Sequence, residues 1–266
     1  MLEKLNSKNL FYIILVVWAI LALIFGFTDL QISRAVVDQN SPWGIFGEEF
    51  GEAPGWGLIA VGLSVFIGSY DTNIKKQKIN AYVIEFIGIV LLILGLIFNS
   101  SYLMLIGGSM AISLGLFTLI SFKKDWSQYR KISAIITVLT IVNPLLFIQI
   151  TKILCGRIRF RDMISPFVEY TPWFLPPGPT SHGSSFPSGH TSISFMVLPL
   201  LILLRDYQCK NPKKIALTVL ITGWAIFVGL SRIVVGAHFA SDVLFSAGVA
   251  SIVTLLMYRR LYLKKD

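Results

Sequence analysis

Charge is what this sequence has least of. Only 14% of its 266 residues are Asp, Glu, Lys or Arg, against about 25% in an ordinary soluble domain. A water-facing surface cannot be built from so few, which excludes a soluble globular protein. Cysteine is equally scarce. Cys155 and Cys209 fall on opposite sides of the membrane in the topology argued below, so a disulfide framework is excluded. The three histidines, His182, His190 and His238, do not have zinc-type spacing, so neither a metal site nor a cofactor is expected.

Apolar residues fill the space that charge leaves. They make up 55% of the chain, mostly in runs that approach the 17 to 25 residues needed to cross a bilayer. Eight such spans are expected, near 10–27, 55–69, 81–98, 102–122, 132–151, 188–204, 215–230 and 242–258. The second is short and needs its flanks. The first is preceded by Lys4 and Lys8, but it is too long for a signal peptide and lacks a small-residue cleavage site, so it reads as an anchor. Lipid admits only helices or closed barrels, and these runs have helical length. The expectation is therefore an all-α, polytopic helix bundle forming one integral membrane domain over residues 1–266, with no internal repeat and no linker.

A net charge of +9 invites a nucleic-acid reading, which the distribution excludes. Seventeen of the 23 basic residues lie at the termini or in alternate loops, among them Lys75, Lys76, Lys78, Lys123, Lys124, Lys213, Lys214, Lys264 and Lys265. The positive-inside rule then places those loops and both termini in the cytoplasm, with the cell membrane the expected location. The six that remain outside are Arg34, Lys152, Arg157, Arg159, Arg161 and Arg232. Five of these cluster against the topological bias, so something on the outer face requires positive charge.

Two outer connections are long, 28–54 and 162–187. The first carries Asp38, Glu48, Glu49, Glu52 and Pro54 and has weak helical periodicity. The second is rich in proline and aromatics, including Pro166, Tyr170, Trp173 and Phe174, and suits the headgroup layer. Three short patterns meet at this face: Lys152 with Arg159, then Pro187-Ser188-Gly189-His190, then Ser231-Arg232, His238 and Asp242.

Each pattern has a chemical use. Ser188 is a natural helix cap and Gly189 permits close approach, so the helix start is an anion site. Lys152, Arg159 and Arg232 supply fixed positive charge, and guanidinium forks match phosphate oxygens. His238 and Asp242 stand four apart on one helical face. The carboxylate can hold one imidazole nitrogen as N–H and free the other to attack. His190 remains for proton transfer to a leaving group.

Lys-x6-Arg, Pro-Ser-Gly-His and Ser-Arg-x5-His-x3-Asp together resemble the signature of the type-2 phosphatidic acid phosphatase superfamily. That family includes lipid phosphate phosphatases, undecaprenyl-pyrophosphate phosphatases, glucose-6-phosphatases and soluble vanadium haloperoxidases. The resemblance covers about residues 132–258. It implies that His238 is the nucleophile and forms a phosphohistidine, that Asp242 orients it, and that His190 protonates the leaving oxygen and later activates water. Lys152, Arg159, Ser188, Gly189 and Arg232 would bind phosphate without a metal. The implied substrate is a phosphorylated lipid or isoprenoid held by the bilayer.

Two departures stand out. Phe160 follows Arg159 where the family has proline, so Arg157 and Arg161 stay open as substitutes. The family core has six helices, so the spans within 80–122 are an added hairpin beside it. Asn143-Pro144 is expected to kink the fifth span. Glu85 is expected to pack within the hairpin, and His182 to be a solvated loop residue. Two other functions stay open: a phosphatase or phosphotransferase acting on a soluble ester, and a transporter or flippase for a phosphorylated lipid. The latter predicts midplane charges and interrupted helices.

Overall fold

The loop-rich end of the molecule is assembled by helices whose lengths are set by where their apolar runs stop. A computed structural model describes residues 7–165 and 167–263. Lys4, Pro166, Lys264, Lys265 and the side chain of Lys8 lie outside that description. The helices are α1 (Ser7–Val36), α2 (Pro42–Phe50), α3 (Ala53–Gly68), α4 (Ile79–Ile97) and α5 (Ser101–Ser121). The sixth, α6, runs through Arg130–Thr140, a π-wound Ile141–Phe147 and Ile148–Cys155. Helix α7 is Gly189–Ser194 continued by a 3-10 stretch, Phe195–Leu204. Helix α8 is Pro212–Val234, and α9 is Ala240–Tyr258 with a π-wound tail, Arg259–Leu263. No strand occurs among the described residues.

Seven helical stretches are long and apolar enough to cross a membrane, and Gly189–Leu204 is a shorter apolar one. These match the eight expected spans, and the chain is an integral, multi-pass membrane protein. The short helix still has the reach. Ten residues at about 2.0 Å rise and six at about 1.5 Å give about 29 Å, close to the hydrocarbon thickness. Large apolar side chains such as Phe27 and Leu119 stay exposed on the bundle's outside, as expected where the neighbour is lipid.

The 28–54 connection is mostly not a loop. Helix α1 continues through Val36, and α2 lies end to end with α3, making up what the second span lacked. Pro42 starts α2 where a missing N–H costs nothing. Gly47 lets α2 meet α8, since a Cβ there would stand 2.3 Å from Oγ of Ser231.

Helices α3, α6, α7 and α9 share a core that includes Ile59, Ile135, Leu139, Ile193, Met196 and Ala250. The expected hairpin is α4 and α5, packed through backbone contact at Gly107, where a Cβ would fall 2.3 Å from the Leu92 nitrogen. Close packing of small residues is the usual means of helix association in lipid. Glu85 is half-buried, and its carboxylate lies beside Gly115 of α5, the hairpin packing expected of it. At Asn143-Pro144 the winding of α6 changes locally to π, because Pro144 has no N–H to give. Asn143 is fully buried there and donates to the Ser246 carbonyl of α9 at 3.3 Å.

The 162–187 segment folds onto the bundle more than the headgroup reading implied. Trp173 donates to the Ala22 carbonyl of α1 at 2.8 Å and packs on Phe245 of α9, with ring centroids 4.7 Å apart. His182 is exposed, as expected of a loop residue.

Candidate active site

Gly156 ends α6 in the left-handed conformation, φ +58°. Lys152 is therefore in the last turn, and Arg157, Arg159 and Arg161 leave on an irregular segment in which each takes a different direction. Arg157 turns inward and is fully buried. Its guanidinium donates to Asp242 Oδ1 at 2.6 Å, Asp29 Oδ2 at 3.0 Å, Ser241 Oγ at 2.9 Å and the Thr171 carbonyl at 2.9 Å. It also lies 4.0 Å from the Phe239 ring centre. Arg159 turns to a cavity and donates to Ser184 Oγ at 2.9 Å. Arg161 pairs with Glu48 Oε1 at 3.1 Å. The three are thus not interchangeable. Arg159 holds the position that the motif spacing selected.

Phe160 does not loosen this turn. Arg159 has φ −76° and ψ 149°, the extended backbone that a following proline would impose. Phe160 stacks on Phe167 at 5.0 Å, and the Arg161 amide donates to the Gly236 carbonyl at 3.0 Å.

Ser188 caps α7 as expected. Its hydroxyl accepts from the Thr191 amide at 3.3 Å and from the Thr191 hydroxyl at 2.9 Å, and its own amide donates to the Asp242 carbonyl at 3.1 Å. Ser188 is fully buried, behind the residues that line the cavity. Its capping leaves the amides of Gly189 and His190 without an intrahelical acceptor, and both residues line the cavity.

Helix α8 ends at Val234, and a tight turn through Gly236, φ +70°, folds back so that the amides of Ala237 and His238 each donate to the Arg232 carbonyl at 3.1 Å. This sets His238 beside Arg232. The nearest partner of His238 Nδ1 is the Ser185 carbonyl at 2.6 Å, while Asp242 Oδ2 stands 3.6 Å away. A carbonyl only accepts, so Nδ1 carries the proton and Nε2 keeps its lone pair. Asp242 was expected to orient His238 directly. At that distance it also accepts from Arg157, the Ser185 hydroxyl and the Phe239 amide, so Ser185 bonds to both partners. Burial pushes the His238 imidazole down to about 4, against the opposing pull of Asp242.

These elements enclose a cavity of about 370 Å³. Lys152, Arg159, Gly189, His190, Arg232 and His238 line one part of it. Six of the eight sequence-predicted residues therefore meet there, with Ser188 and Asp242 immediately behind. Arg232 is buried and gives one N–H to Glu48 Oε1 at 2.8 Å; its Nε and Nη1 and the Nε of Arg159 have no hydrogen-bond partner. Buried donors without partners are costly unless an acceptor arrives.

Three carboxylates of the site were missed by sequence reasoning. Glu48 holds Arg232 and Arg161, Glu52 stands 3.2 Å from His190, and Asp29 braces Arg157. Their only signal was that acidic residues, scarce elsewhere, gather in 29–52 opposite the outer basic cluster. Tyr102, from the added hairpin, also reaches the cavity wall.

The fold and the cavity are those of a multi-pass helical membrane protein with buried cations and two histidines facing one space. A sequence model of the PAP2 superfamily matches residues 130–266, and the chain belongs to that family. Membership supports a phosphatase-type, phosphoric ester hydrolase activity. No curated protein and no solved structure matched the chain.

Proposed function

We propose that this protein hydrolyses a phosphate or pyrophosphate group of a lipid-linked substrate through a phosphohistidine, without a metal ion. The observation that carries the reading is the mixed lining of the cavity. Unpaired guanidinium donors and two histidines line it together with the apolar Trp56, Ile59, Pro144, Leu145, Ile148 and Ile193. Along α6 the wall runs from Lys152 to Thr140, about 18 Å at 1.5 Å per residue. A charged headgroup with an apolar tail offers both kinds of contact; a sugar phosphate offers only the polar kind.

In the first step Nε2 of His238 attacks phosphorus. The bond to the leaving oxygen breaks, its electrons stay on that oxygen, and His190 supplies the proton. In the second step His190 takes a proton from water, the hydroxide attacks phosphorus, and the P–N electrons return to His238. Lys152, Arg159 and Arg232 hold the charge that builds on the equatorial oxygens, the term that usually contributes most to catalysis. The concentration of Lys and Arg at the opposite end of the bundle supports a site on the outer face with both termini in the cytoplasm, in the cell membrane.

The test is phosphate release in mixed micelles with excess EDTA. The panel holds phosphatidic acid, phosphatidylglycerol phosphate, an isoprenyl pyrophosphate and a soluble sugar phosphate, each with wild type and His238→Ala. EDTA-resistant release from a lipid that vanishes in the variant supports the reading. Release that EDTA abolishes overturns the mechanism, preference for the sugar phosphate overturns the substrate class, and no release favours transport.

A further inference from the structure

We infer that Glu52 is the positioning partner of His190, holding its Nδ1–H so that the opposite nitrogen gives and takes the reaction's proton. This rests on the phosphatase reading above. Glu52 belongs to none of the three motifs and lies far outside the residues matched by the family.

The geometry is specific. Glu52 sits at the start of α3, and its Oε1 is 3.2 Å from Nδ1 of His190. The other oxygen, Oε2, accepts from Trp56 Nε1 at 2.8 Å. The residue is only 3% exposed, and the Trp56 bond fixes the direction of the carboxylate. The other charged or titratable groups lining this cavity are Lys152 and Arg159, Tyr102 of α5, Arg232 of α8, and His238.

The arrangement answers a problem the mechanism leaves. His190 shares its cavity with two guanidinium groups and an ammonium, each of which opposes the positive charge that an imidazole carries after taking a proton. A carboxylate on Nδ1 offsets that opposition and fixes the tautomer at once. In the first step His190 gives its proton to the leaving oxygen as the P–O bond breaks. In the second it takes one from water as the O–P bond forms and the P–N bond breaks. Glu52 keeps Nδ1–H throughout and never meets the substrate. The nearest Nδ1 partner of His238 is a carbonyl, whereas His190 has the Glu52 carboxylate at 3.2 Å in addition to the backbone of Glu48, which suits an acid–base that must change charge.

The experiment is rapid-mix kinetics of Glu52→Gln with an alkyl-tailed nitrophenyl phosphate in detergent. Nitrophenolate needs no proton to leave, so phosphorylation of His238 is insensitive to His190, whereas water attack requires it. The expected result is a first-turnover burst within about twofold of wild type, followed by steady turnover lower by ten- to a hundredfold, with KM falling alongside it and kcat/KM nearly unchanged. Glu52→Asp, which keeps the charge, should recover part of the turnover. It takes the same test if Glu52→Gln does not purify folded. Equal losses in burst and turnover would mean that Glu52 only shapes the site, and no loss in either would mean that it is idle. Each overturns the inference alone. A wild type that releases neither nitrophenolate nor phosphate from any lipid overturns the phosphatase reading as well.

Discussion

Nδ1 of His238 lies 2.6 Å from the carbonyl oxygen of Ser185, a full ångström nearer than the carboxylate of Asp242. Because the ring is buried and Arg232 and Lys152 stand near it, its proton affinity is depressed to about 4. The folded value lies below the ordinary 6.5, so the unfolded chain binds the extra proton first. Native stability is therefore full above about pH 6.5 and declines by about 3 kcal/mol as pH falls toward 4. Activity has the same sign: His238 stays neutral and able to attack until about pH 4. Initial rates of nitrophenolate release, measured from pH 4 to 8, should show no loss centred near 6.5. A first-turnover rate that halves near that value would show that the nucleophile titrates as a free imidazole.

The indirect link between Asp242 and His238 makes Ser185 testable. Its hydroxyl donates to Asp242 while its carbonyl holds His238. Ser185→Ala removes the first bond and keeps the second. A hydrogen bond to a charged group contributes about 1.5–3 kcal/mol, so kcat should fall about tenfold or more without a change in KM. Wild-type kcat in this variant would mean that Asp242 acts on the imidazole across 3.6 Å unaided.

Arg157 and Arg159, two residues apart, should separate cleanly. Arg157→Ala strands Asp29 and Asp242 as buried carboxylates, and breaking a buried pair costs about 3–5 kcal/mol. The variant should melt far below wild type in detergent or fail to fold. Arg159→Ala should melt like wild type, because that side chain faces the cavity, and lose about a hundredfold in kcat/KM through the missing phosphate contact. Thermal melts of both, with activity on one lipid substrate, decide it. Reversed behaviour would exchange their roles.

That pair also shows where the sequence stops being legible. The spans were readable because lipid demands long apolar runs, and the reacting histidines because their chemistry demands those residue types at those spacings. Arg157, Arg159 and Arg161 alternate along one irregular segment, and only its folded path sends the first to the core, the second to the cavity and the third to Glu48. Asp29, Glu48 and Glu52 were hidden for a related reason. Their partners, Arg157, Arg232 and His190, are each more than a hundred residues away, so no local period announces them. The 28–54 stretch showed only weak helical periodicity because α2 is short and carries two glycines, one of which, Gly47, meets α8.

The added hairpin reaches the site through one side chain, Tyr102 at the start of α5, and its effect should depend on the substrate's tail. Tyr102 is about half exposed and lines the same cavity as Trp56, Ile148 and His190. It carries no charge toward the reacting groups, so its contribution is contact area. Half-burying an aromatic ring against a tail is worth about 1 kcal/mol, or about fivefold in affinity. Tyr102→Ala should therefore raise KM about fivefold for a long-chain phosphate and leave kcat unchanged, the pattern of lost uniform binding. For a short-chain analogue that ends before the ring, KM should stay at the wild-type value. Steady-state kinetics on the two chain lengths distinguish this from a general disturbance of the wall, which would raise KM for both or depress kcat. If neither parameter moves for either chain, the tail leaves the headgroup by another side of the cavity and the hairpin has no part in selecting it.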